Sequence, residues 1–206
     1  MNLRVLISYY SPREIVSEKQ DVLFKTLLAL LGKEGVTKDP IVDQIFGFVR
    51  SEENLRASIE WLRQSKITVD GQELYELKQN HKLSIVKTAF KASCLSLEEK
   101  QELLNQTLGD DRSDLSENCR ATCESSLPDP EIKARVWAEV TDPSNTDSLY
   151  KRRAKIEGFY AFSQFDIVEP YFDKFFDVLP MVYEKMTHKN FEGFFYGFLP
   201  RMEVKD

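Results

Sequence analysis

Apolar residues recur at intervals of three and four along almost the whole chain, the repeat of a helix with one buried face. Val16, Val22, Leu23, Leu27, Leu30 and Leu31 form the first such stripe, which stops at Gly32. Ile41, Ile45, Phe48 and Val49 follow Asp39-Pro40, and Leu55, Ile59 and Leu62 follow the polar turn Ser51-Glu52-Glu53. The β-branched run Ile67-Thr68-Val69 leads into the turn signal Asp70-Gly71, but no second strand of matching pattern is expected after it, and helix is expected to resume by Leu74. Leu77, Leu83, Val86, Phe90 and Leu95 predict one long helix, or a pair broken near Asn80-His81.

The second half is punctuated more firmly. Ser96-Leu97-Glu98-Glu99 reads as a capping box, in which the serine accepts from the backbone three residues on and the glutamate reaches back. Leu103, Leu104 and Leu108 give a short helix before Gly109, and Leu115, Cys119 and Thr122 mark the next. Asp129 is placed to cap a helix whose first position is Pro130, with Ile132, Val136, Trp137 and Val140 on one face and Asp142-Pro143 as its stop. One more helix is predicted from Leu149 to Phe162. The last two carry Val168, Tyr171, Phe172, Phe175, Phe176, Leu179, Val182, Tyr183 and Met186, then Phe191, Phe194, Phe195 and Phe198, with Pro180 expected to kink the first. Trp137, Phe172 and Phe176 are expected in the core. About ten short helices with tight Asp, Pro, Gly and Ser turns predict an all-α fold, an irregular antiparallel helical array of the HEAT-like solenoid kind.

Composition narrows what such an array can do. With 206 residues the chain can form one sizeable core, and it reads as a single helical domain over 1–206. A net charge of −6 argues against a nucleic-acid partner, because a phosphate backbone needs clustered Lys and Arg. No apolar run is long enough to span a bilayer, so no membrane partner is expected and the location is read as cytoplasmic. Cys94, Cys119 and Cys123 are read as small buried thiols, with no local ligands to make Cys119 and Cys123 a metal site.

Catalytic signatures are missing. The two histidines, His81 and His188, are far apart, and His188 with Glu192 makes at most half of a metal site. No H-E-x-x-H, G-x-S-x-G, G-x-x-x-x-G-K or G-x-G-x-x-G occurs. No catalytic residue and no cofactor is assigned to the segment. The acidic run Asp110, Asp111, Asp114 and Glu117 reads as a solvated helix start. The one basic cluster is Lys151-Arg152-Arg153-Ala154-Lys155, a solvated helix face by default and a carboxylate-binding surface in the sharper reading.

The order of LPDPEIKARVWAEV, SNTDSLYKRRAKIEGFY, IVEPYFDKFFDVLPMVYEKM and GFLPRMEV resembles the C-terminal domain of aminopeptidase N-type zinc aminopeptidases. The matching features are Pro128 through Lys133 with Trp137, then Gly158-Phe159, Pro170-Tyr171 with Phe175-Phe176, and Leu199-Pro200; the likeness is convincing from about Ile67 onward. The resemblance implies a HEAT-like α-helical bowl that covers the catalytic zinc domain and helps hold the distal part of a peptide substrate. In that family the zinc ligands lie upstream, so the chain would be an N-terminally truncated, non-catalytic piece, with LRVLISYY as the end of an earlier helix and the catalytic domain of the same enzyme as partner. Arg152 and Arg153 lie in the matching segment and would be the candidates to bind the peptide carboxylate by a bidentate fork, at most one of them facing the cavity. The alternative is a free-standing α-solenoid scaffold that binds another protein along its concave face.

Overall fold

A computed structural model describes residues 13–160 and 164–199. The stretch LRVLISYY, the last two residues of the predicted helix to Phe162, and Pro200 lie outside the described residues. The chain is an all-α helical array with one two-stranded sheet among the described residues, and it divides into two compact units, one up to Cys94 and one from Leu95.

The first unit contains α1 (Arg13–Leu31), α2 (Asp39–Ile45) with a 3-10 turn at Phe46–Phe48, α3 (Glu52–Gln64), the hairpin strands β1 (Lys66–Val69) and β2 (Gln72–Glu76), and α4 (Gln79–Lys91). Ser51 caps α3 by accepting from the Asn54 N–H, and Ser65, in the left-handed region at φ 57°, ends it. Trp61 stacks on Phe24 at 6.0 Å between ring centres and donates to the Thr68 carbonyl at 2.9 Å, which ties helix to hairpin.

The hairpin corrects two expectations. Asp70 and Gly71 both have positive φ, the geometry of a two-residue type I′ turn, and a second strand does follow, pairing Val69 with Gln72. Helix therefore resumes at Gln79 and not by Leu74. The second strand carries one buried apolar residue, Leu74, so alternation had almost nothing to act on. Asn80 and His81 do not break a helix but form its first turn, where His81 Nδ1 accepts the Lys78 N–H at 3.2 Å. The ring is buried, and its Nε2 lies 3.0 Å from Asp43 on α2.

The second unit contains α5 (Leu97–Leu108), α6 (Asp114–Ser125), α7 (Pro130–Thr141), α8 (Leu149–Phe159), the single turn α9 (Phe165–Val168), α10 (Pro170–Lys185) and α11 (His188–Phe198). Five of these seven begin at a side-chain cap. The capping box forms as expected, with Glu99 accepting the Ser96 N–H at 2.9 Å and Ser96 accepting the Glu99 N–H at 3.2 Å. Asp129 accepts from Glu131 and Ile132, Ser148 from Lys151, and Thr187 from Asn190. α10 continues through Pro180 as one helix.

The core of this unit is aromatic. Trp137 is buried against Phe159, Tyr171, Phe194 and Phe198, with ring centres 5.1 to 6.2 Å away. Val136 and Val140 share its face, as the periodicity requires. Phe172 is only half-buried and Phe176 is 58% exposed, against expectation for both. Phe175 takes the inward position, and its neighbour one residue on is turned about 100° away. Val22 and Leu115 are likewise exposed members of otherwise buried stripes. Cys119 and Cys123 are buried and in no disulfide, as expected, whereas Cys94 is exposed.

Candidate functional site

The basic run is the start of α8, and this helix is gripped on two sides. Toward α6 the contact is so close that a Cβ at Gly158 would lie 2.2 Å from the Thr122 carbonyl oxygen and 2.8 Å from Ser125 Cβ. The Thr122 hydroxyl donates to the Ala154 carbonyl at 3.1 Å across the same interface. Toward α11 the close point is Gly197, where a Cβ would lie 2.2 Å from Ile156 Cγ2. At Gly158 only glycine lets the two backbones approach this far, while at Gly197 a side chain would have to give.

The four cations of the run have separate fates. Lys151 and Lys155 both pair with Asp147, at 3.7 Å for Lys151, and Lys155 also pairs with Glu139 at 2.7 Å. Burial disfavours the charged Lys155, but its hydrogen bonds to Asp147 and Glu139 outweigh this and its pKa rises. Burial likewise works against a charged Asp147, yet the Lys155 hydrogen bond prevails and holds its carboxyl below the usual range.

Arg152 is 2% exposed and its guanidinium faces backbone. It donates to the carbonyls of Val140 at 3.2 Å, Asp142 at 3.3 Å and Asn145 at 3.0 Å, and it reaches Met186 Sδ at 3.7 Å. Two of these carbonyls lie at the C-terminal end of α7, where a helix leaves acceptors unsatisfied and favours a cation. Burial lowers its pKa, while Asp147 and Asp142 oppose that shift.

Arg153 points the other way. It is exposed, lies over Gly193 of α11, and makes no ion pair or hydrogen bond among the described residues. A Cβ at Gly193 would come within 3.4 Å of its Nε. Together with Ile156 and Glu157 of α8 and Glu192, Gly193, Tyr196 and Gly197 of α11, it lines an open groove of about 420 Å³. The two candidate arginines are thus separated by the helix: Arg152 serves the interior and Arg153 a groove.

Lys133 is a buried cation that sequence reasoning passed over. It is fully buried, and its ammonium donates to the carbonyls of Ser125 at 2.6 Å and Phe159 at 2.8 Å, with Gly158 at 3.5 Å. These close the C-terminal ends of α6 and α8 together. A signal was available: Lys133 shares the face of Val136, Trp137 and Val140, an unusual place for an ammonium unless it has partners.

Chemically, the groove offers one guanidinium for a carboxylate or other anion, flanked by glutamates. Among the described residues no group of three or more His, Cys, Asp or Glu could hold a metal ion. His188 and Glu192 both start α11 and are both exposed. In the acidic run, Asp111 accepts from the Ser116 hydroxyl at 2.6 Å and the Ser113 N–H at 2.8 Å, bonds that lower its pKa and organise the start of α6. No helix of the described residues is long and apolar enough to cross a membrane. No family model matches the chain, and no curated protein matches it.

Proposed function

We propose that the chain is a non-catalytic helical part of a zinc metalloaminopeptidase of the cytoplasm, capping the cleft in which an upstream zinc domain removes N-terminal amino acids. The observation that supports this is where the resembling residues meet. Lys133, Trp137, Gly158-Phe159, Tyr171 and Phe175 are scattered in sequence, yet Lys133 binds the Gly158 and Phe159 carbonyls, Trp137 packs on Phe159 and Tyr171, and Phe175 lies in the same core. The residues that carry the resemblance pack against one another, as the reading requires.

Among the described residues no group of three or more His, Cys, Asp or Glu could hold a metal ion, and in this reading the zinc is held by an upstream domain of the parent enzyme. What this chain contributes is enclosure and an anion subsite. A peptide whose N-terminus sits at the metal extends its far end toward the helical cap, and Arg153 receives the terminal carboxylate.

Two experiments test the reading. The transcript upstream of Met1 is expected to continue in frame into a domain with H-E-x-x-H; an in-frame stop favours the free-standing scaffold. In the complete enzyme, Arg153→Ala is expected to raise KM about tenfold for peptides with a free carboxylate, the loss of one charge-assisted pair. Single-residue chromogenic substrates should be unchanged. Equal effects on both substrate kinds, or none, would remove Arg153 from the substrate path.

A further inference from the structure

We infer that the outer face of α10 is a docking surface for a positively charged amphipathic helix of another protein. The inference is independent of the aminopeptidase reading and of the Arg153 groove.

Phe172, Phe176, Leu179 and Tyr183 follow one another at the spacing of a single helix ridge, and none is fully buried. Phe176 is 58% exposed and Tyr183 69%. A chain of ring contacts joins this ridge to α11: Tyr183 to Phe191 at 5.1 Å, Phe191 to Phe195 at 5.8 Å, Phe195 to Phe175 at 6.0 Å, and Phe175 to Phe176 at 5.2 Å. The exposed rings therefore stand on a packed base and are already oriented. Large oriented aromatics left in water are what interaction surfaces present.

Beside the aromatic ridge runs a row of exposed carboxylates, Glu169, Asp173, Asp177 and Glu184. None of the four forms an ion pair or hydrogen bond among the described residues. The lysines of α10 fall elsewhere: Lys174 and Lys185 lie two and nine positions from Phe176, which is the opposite side at about 100° per residue. Lys174 is moreover held 4.5 Å over the Tyr171 ring. The exposed face thus pairs an apolar ridge with charge of one sign.

Charge complementarity selects the occupant. A second copy docking face to face would oppose these carboxylates to themselves, and an anionic membrane or nucleic acid would be repelled. A helix with apolar residues at i, i+4, i+7 and i+11 and Lys or Arg beside them satisfies both rows. The ridge from Phe172 to Tyr183 is about 16 Å long, three turns of a partner helix.

The probe is a fluorescein-labelled 18-residue helical peptide with Leu on one face and Lys on the other, titrated against the purified chain by anisotropy in low salt. Binding is expected, weakened about tenfold by Asp173→Lys with Asp177→Lys, which turns two attractions into repulsions. Phe176→Ala with Tyr183→Ala should weaken it by at least as much. Reversing two exposed acids elsewhere in the unit, Glu98→Lys with Asp110→Lys, should leave it unchanged. A Glu-faced peptide should bind the Asp173→Lys, Asp177→Lys variant better than it binds the parent chain. Circular dichroism establishes that each variant is folded, and because all four α10 changes are on exposed side chains at least one pair remains readable. Absence of binding, equal loss with the Glu98 and Asp110 control, or a concentration-dependent dimer that Phe176→Ala abolishes would each overturn the inference.

Discussion

The two sides of α8 solve the same problem in opposite ways. Both bring helices close through a glycine, Gly158 toward α6 and Gly197 toward α11. The α6 side is polar and closed: a threonine hydroxyl, backbone carbonyls and the Lys133 ammonium are matched donor to acceptor. The α11 side is apolar at its close point, opens into the Arg153 groove, and leaves a guanidinium facing water. Matched buried polar groups tolerate no displacement, because any separation orphans them. The apolar contact orphans no polar group when it shifts, although Ile156 Cγ2 moves only with the stiff χ1 of a β-branched residue. The difference makes one side closed structure and leaves the other an open groove.

The largest test breaks both sides at once. Trp137→Ala removes the ring that touches Phe159 of α8 and both Phe194 and Phe198 of α11, and it should cost roughly 3 to 5 kcal/mol in urea denaturation. A cost below about 1 kcal/mol would place the ring outside the core. Gly158→Ala should follow at about 3 kcal/mol, since the new methyl meets a backbone oxygen that cannot move aside. Lys133→Met keeps the volume but orphans carbonyls at two helix ends, and about 2 kcal/mol is expected. Gly197→Ala should cost less than Gly158→Ala, about 1 to 2 kcal/mol, because Ile156 Cγ2 can give by a χ1 change, which a buried β-branched residue resists, whereas the Thr122 carbonyl cannot give. If Gly197→Ala proves worse than Gly158→Ala, the contrast between the two sides is wrong.

The smallest effect is a pH dependence at the Asp147–Lys155 pair. Asp147 has a depressed pKa, so its contribution is present above the ordinary aspartate value and is lost as pH falls through the depressed one, below about pH 4. Lys155 has a raised pKa, so its contribution is complete below the ordinary lysine value and is lost as pH rises above about 10. Thermal melts should show Asp147→Asn flattening both limbs relative to the parent chain. The fluorescence of Trp61 and Trp137, one in each unit, allows the two units to be followed separately with Trp61→Phe and Trp137→Phe.

Local chemistry was the legible part of this molecule. Ser96 with Glu99, Asp129 before Pro130, and the face shared by Val136, Trp137 and Val140 are decided within one or two turns of chain, and they form as read. What escaped depends on distant partners. β2 has one buried side chain and is specified by the positive φ at Asp70 and Gly71 more than by its own pattern. Phe175 and Phe176 are indistinguishable in sequence until α11 fixes which one turns inward. Arg152 and Lys133 look like surface cations, and their burial follows from which helix ends converge on them. At the site, the run of cations was visible, and the rule that adjacent residues diverge separated Arg152 from Arg153. The groove itself required knowing that α11 lies beside α8.

Lys133 also sets an order of events for the folding chain. Its partner Ser125 is 8 residues away, whereas Gly158 and Phe159 are 25 and 26 away. Closing the shorter loop costs less chain entropy, so the bond to the end of α6 is expected to form before α8 docks. Until α8 arrives, the ammonium keeps donors for a second set of carbonyls, which the end of α8 supplies in the folded chain. Stopped-flow folding of Lys133→Met should accordingly slow the pairing of α6 with α7 as well as the later step that buries Trp137 against Phe159; an unchanged α6–α7 step would refute the order.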